Sequence, residues 1–100
     1  MLEPTWQGRP LRISKRTVMQ ELVELGMDLW DVVEILEGGF DCPRSRRRGG
    51  VYERCVKRGR KTVKVVVEAG EEILPGERMP IWVLRHVGEF GELGGGEAKR

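Results

Sequence analysis

VYERCVKRGRKTVKVVVEA, residues 51–69, is the stretch whose reading decides the fold. Its halves, VYERCVKR (51–58) and TVKVVVEA (62–69), are rich in β-branched residues, and Gly59-Arg60-Lys61 lies between them. Two such runs around a glycine-containing bend predict a β-hairpin. In the second half Val63, Val65 and Val67 alternate with Thr62, Lys64 and Val66. A period of two sends the first set to a packed face and leaves the other face to offer Lys64. The first half is ambiguous: Tyr52, Arg54, Val56 and Arg58 make one face, Val51, Glu53, Cys55 and Lys57 the other, and both are mixed.

Downstream, a third β-like run, IWVLRHV (81–87), follows a turn-rich stretch containing Pro75-Gly76 and Pro80. Upstream, Ser14 is a candidate N-cap for a helix running to about Leu25, with Val18, Leu22 and Leu25 on one stripe, Met19 alongside and Gly26 as the stop. Asp28 caps a second helix, and Asp31 suits its positive N-terminal end. Leu29, Val32, Val33, Ile35 and Leu36 give that helix a broad apolar face before Gly38-Gly39 ends it. The connection is so short that the helices are expected to form a tight helical hairpin. Leu11-Arg12-Ile13 reads as a short edge strand. Residues 1–10, with Pro4, Gly8 and Pro10, read as an irregular lead-in, and 88–100 as a Gly-rich flexible tail. A single α+β domain over 11–87 results: two N-terminal helices packed on a curved antiparallel sheet of three to four strands.

One hundred residues, 39% apolar and 34% charged, suit one globular domain. No run of about 18 apolar residues predicts a membrane span, and MLEPTWQGRP lacks the order of a signal peptide, so a cytoplasmic location is expected. Asn is absent and Arg outnumbers Lys, a bias that fits a thermophile and equally a GC-rich genome. Net charge is only +2, but Arg44–Lys64 holds ten Arg and Lys against Glu53 alone. That segment carries +9 and the remainder −7, an asymmetry that points to an anionic partner, nucleic acid foremost; a solvated face balanced by the acidic remainder is the plainer alternative.

Cys42 and Cys55 include no close pair and His86 is the only histidine, so no zinc site is predicted. Ordinary thiols are expected, since a Cys42–Cys55 disulfide runs against a cytosolic setting. His86 is the natural acid–base candidate. No nucleotide-binding, hydride-transfer or serine-hydrolase signature is present, and no cofactor is implied. Arg46, Arg47, Arg48, Arg54, Arg58, Lys61, Lys64 and Arg85 are the candidate nucleic-acid ligands, because guanidinium and ammonium groups seat phosphate oxygens. Tyr52 beside them could stack on an unpaired base, a combination that suits single-stranded RNA, with DNA the alternative. Arg58, Tyr52 and His86 together could support metal-independent RNA cleavage.

ISKRT (13–17), ELGMDLWDVVEILEGG (24–39) and GRKTVKVVVE (59–68), in this order, resemble the RelE/BrnT-like toxin superfamily, and within it the domain-of-unknown-function family 4258. The resemblance spans about residues 11–87. It implies two helices layered on a curved antiparallel sheet, an exposed sheet face that binds RNA, and an acidic antitoxin protein that covers it. The family's early histidine falls on Arg16 or Thr17, so any role of that residue is missing here. The readings that follow are a RelE-like endoribonuclease, a non-catalytic RNA- or DNA-binding module, and a protein-interaction domain.

Overall fold

A computed structural model describes residues 3–42 and 49–91. In chain order the elements are β1 (Thr5–Trp6), β2 (Arg9–Ile13), α1 (Arg16–Glu24), α2 (Leu29–Gly38), β3 (Val51–Arg58), β4 (Lys61–Leu74) and β5 (Glu77–Phe90). All five strands form one sheet in the order β1-β2-β5-β4-β3. β5 is central, antiparallel to β4 along its whole length and parallel to β2 through Leu11↔Trp82 to Ile13↔Leu84.

This overturns the expected antiparallel sheet of three to four strands: the sheet has five strands and is mixed. Gly8 does not break the lead-in. With Gln7 it forms a two-residue turn, φ 52° and 77°, that pairs Trp6 with Arg9. Positive φ at both central residues is what a tight hairpin of this hand needs. Leu11–Ile13 is therefore an interior strand between β1 and β5, and Leu11 is buried. The Pro75-Gly76 stretch is likewise the tip of a long hairpin, so β4 and β5 run well past the predicted ends of their strands. Beyond β2 and β3 the two continue as a ribbon. Arg12 crosses β5 to tie it down, with Nε and Nη2 donating to Glu72 at 3.3 and 3.1 Å and Nη1 to Glu3 at 2.9 Å. The hydrogen bonds it donates to Glu72, then to Glu3, push the Arg12 guanidinium above its ordinary pKa.

Ile13 stays extended against Leu84, which carries Lys15 into the N-cap position in place of Ser14, and no side chain caps α1. α2 starts as expected: Asp28 accepts from the Asp31 N–H at 3.0 Å and Asp31 accepts from the Asp28 N–H at 2.9 Å. Val18 and Leu22 of α1 and Val32, Val33, Ile35 and Leu36 of α2 share one core with Val63, Val65, Val67, Trp82, Leu84 and Val87. The three alternating valines of β4 are fully buried, each contributing about 1.5–3 kcal/mol of transfer free energy.

Two local features complete the frame. Cys42 and Cys55 form a disulfide with Cα atoms 5.2 Å apart, where free thiols were expected. The reason is pairing: Phe40 bridges the edge of β3 at Cys55, with backbone bonds of 2.8 Å both ways, and this brings Cys42 alongside. Gly39 makes that approach. A Cβ there would lie 2.5 Å from the carbonyl oxygens of both Cys55 and Ile35, whereas Gly38 next to it faces open space.

Two outcomes follow for equilibrium denaturation followed by circular dichroism. Gly39→Ala lowers stability by about 3 kcal/mol or more, since both obstacles are backbone, while Gly38→Ala is neutral or gains up to about 1 kcal/mol. Reducing the Cys42–Cys55 bridge, which closes a separation of 13 residues, costs ~3 kcal/mol. Unreduced protein, denatured, should show no titratable thiol.

Candidate nucleic-acid interface

Cross-strand partners share a face, so the β3–β4 register assigns every cation of the hairpin. Tyr52, Arg54, Val56 and Arg58 oppose Val67, Val65, Val63 and Lys61 on the face that carries the buried valines. Glu53, Cys55 and Lys57 oppose Val66, Lys64 and Thr62 on the other. The basic residues are thus split between two faces, and no single sheet face displays them all.

Several are also engaged. Arg54 donates through Nη1 to Asp41 at 2.9 Å and through Nη2 to the Gly39 carbonyl at 2.6 Å, so it braces the end of α2 against β3. Lys64 lies 3.9 Å from Glu53, and Arg85 lies 3.3 Å from Glu68. Arg46, Arg47 and Arg48 lie outside the described residues.

What remains is concentrated at the hairpin end. Lys57, Arg58, Arg60 and Lys61 surround the turn, and all four are exposed. Arg58 and Lys61 stand directly opposite each other, a like-charge pairing that costs the fold stability. Lys61 reaches Glu89 at 3.9 Å, while Lys57, Arg58 and Arg60 make no ion pair among the described residues. Arg58 lines a cleft of about 420 Å³ with Met27, Asp31, Glu34, Ile35 and Val56. Lys57 and Arg60 were not singled out from sequence. For Arg60 the signal was the turn itself, whose central positions stand clear of both strand faces, while Lys57 lies on β3 opposite Thr62.

The candidate catalytic residues do not converge. Tyr52 packs among aromatic rings, and Arg58 is six positions further along the same strand, about 20 Å away in an extended chain. His86 lies on the opposite face of the sheet from both. A bulge between Val66 and Val67 leaves Arg85 as the extra residue, so that Leu84 and Val87 are both buried while Arg85 and His86 are both exposed. Past the end of β2 the edge of β5 has no strand neighbour. There Glu21 of α1 accepts the Val87 N–H at 3.1 Å and lies 3.4 Å from His86 Nδ1. His86 thus belongs to a helix-to-sheet contact.

Among the described residues no group of three or more His, Cys, Asp or Glu could hold a metal ion, and no helix is long and apolar enough to cross a membrane. No family model matches the chain, and no curated protein or solved structure matches it.

Proposed function

We propose that this protein binds single-stranded RNA through the cationic end of the β3–β4 hairpin, without cleaving it. The observation that carries the reading is the cluster Lys57, Arg58, Arg60 and Lys61, where like charges face each other across the strands and most have no acidic partner among the described residues. A cluster that costs stability alone is relieved when phosphates occupy it, with release of their counterions. Guanidinium groups at a narrow, exposed turn can fork onto successive phosphates. This keeps the RNA-binding part of what the resemblance to RelE/BrnT-like toxins implies. It drops cleavage, because Tyr52, Arg58 and His86 lie too far apart to act on one phosphodiester.

An RNA partner implies a cytoplasmic protein. A cytoplasmic disulfide in turn fits a thermophile, as does the missing Asn.

Fluorescence anisotropy with a labelled single-stranded RNA of about a dozen nucleotides tests the reading. The wild type should bind with a steep salt dependence. Arg58→Ala with Arg60→Ala should weaken binding about tenfold or more and flatten the log–log salt slope by about 1.4, the value for two lost phosphate contacts. Both side chains are exposed and Arg58 opposes Lys61, so the melting temperature should hold or rise slightly. Unchanged affinity in the double variant would remove the proposal, and RNA cleavage by wild type in EDTA would restore the enzymatic reading.

A further inference from the structure

We infer that the pocket beside Tyr52 is a guanine-binding subsite. Trp6, Gln7, Leu36, Glu37, Tyr52 and Arg54 line a cavity of about 430 Å³ between β1, α2 and β3, large enough for one planar base. One wall is a rigid aromatic block. Trp82 Nε1 donates to the Trp6 carbonyl at 3.0 Å, and both indoles are buried. Tyr52 meets both of them edge-on, at 5.8 and 5.2 Å between centroids. Arg9 covers the Trp82 ring at 5.2 Å. Tyr52 itself is 37% exposed, which leaves ring surface for a further aromatic partner.

The polar lining selects the base. Glu37 makes no ion pair or hydrogen bond among the described residues and presents acceptors only. Arg54 spends one N–H of each Nη on Asp41 and the Gly39 carbonyl, which fixes its plane, and its side chain is 28% exposed, so the second N–H of each Nη keeps no hydrogen bond among the described residues. Donors held in fixed directions and left without an acceptor suit one that a ligand brings. Guanine alone among the common bases sets two donors side by side, N1–H and N2–H, for one carboxylate, and it offers O6 and N7 to a guanidinium N–H. Gln7 adds an amide at the rim. It is the single non-glycine residue with positive φ among those described, at a turn position where Asn or Gly would be the easier choice.

The base can come from an RNA strand held at the hairpin, which rests on the function proposed above, or from a free guanine nucleotide. Two arms separate these sources. In the first, GMP and UMP are titrated against tryptophan fluorescence, and GMP should bind at least tenfold more tightly. In the second, a uridine octamer is compared with the same octamer carrying one central guanosine, which should bind about tenfold more tightly. Tyr52→Ala and Glu37→Gln should each erase the preference for guanine. Neither should change affinity for the all-uridine strand. Glu37 is exposed on a helix, so its variant stays folded even if the loss of Tyr52 loosens the aromatic block.

GMP binding without RNA binding would sink the function proposed above and leave the pocket standing as a mononucleotide site. RNA binding with equal affinity for both octamers and no GMP preference would sink the pocket alone. So would a guanine preference that survives in Glu37→Gln.

Discussion

Strand β5 is paired on both edges, and every other element takes its place from that pairing. On one side β4 follows it antiparallel from the Thr62↔Phe90 end to the ribbon tip. On the other, β2 lies parallel for three residues and then stops at Leu84. Stopping there leaves a gap that a strand would otherwise fill, and α1 fills it with Glu21, whose carboxylate takes the Val87 N–H. The helix is therefore fixed to the sheet by a polar contact as well as by Val18 and Leu22. The bulge at Arg85 belongs to the same constraint. Without the extra residue, Leu84 and Val87 could not both face the core, and His86 would be the one turned inward.

What was legible in the sequence follows from which signals are local. The alternation of Val63, Val65 and Val67 read correctly because a buried strand face needs nothing beyond period two. α2 read correctly because Asp28 and Asp31 close a box within one turn. The β1–β2 hairpin did not read, since a turn at Gln7-Gly8 depends on Gln accepting positive φ, which composition argues against. The parallel pairing of β2 with β5 joins positions about seventy apart and leaves no mark in either segment. The disulfide was missed for a related reason. It is set by Phe40 pairing with the edge of β3, and the spacing of two cysteines says nothing of that.

The basic cluster shows the limit of reading charge from a linear count. Ten cations in one segment suggested one face, but a strand distributes its residues over two, and the fold consumes some of them. Arg54 is the clearest case. It appeared to be a phosphate ligand and is instead a brace between Asp41, the Gly39 carbonyl and β3. Its usefulness as a brace depends on the Cys42–Cys55 bridge, which keeps Asp41 within reach.

That dependence links the two sites physically. Gly39 lets α2 end against the Cys55 carbonyl, the disulfide holds Cys42 on β3, and Asp41 with the Gly39 carbonyl clamps the outer nitrogens of Arg54. Clamping those nitrogens is what fixes the guanidinium plane where Arg54 lines the pocket with Tyr52 and Glu37. An arginine free to rotate would satisfy all five of its donors with water and recognise nothing in particular. One held by two protein acceptors offers its remaining donors in fixed directions, and a base of the wrong edge chemistry leaves them unpaired. The hairpin end differs: its cations are exposed, and contacts they would make to phosphates carry no base preference. On the proposed reading, attraction to the backbone and choice of base fall to opposite ends of β3, one built mostly from cations without an ion pair among the described residues and the other from residues the fold immobilises.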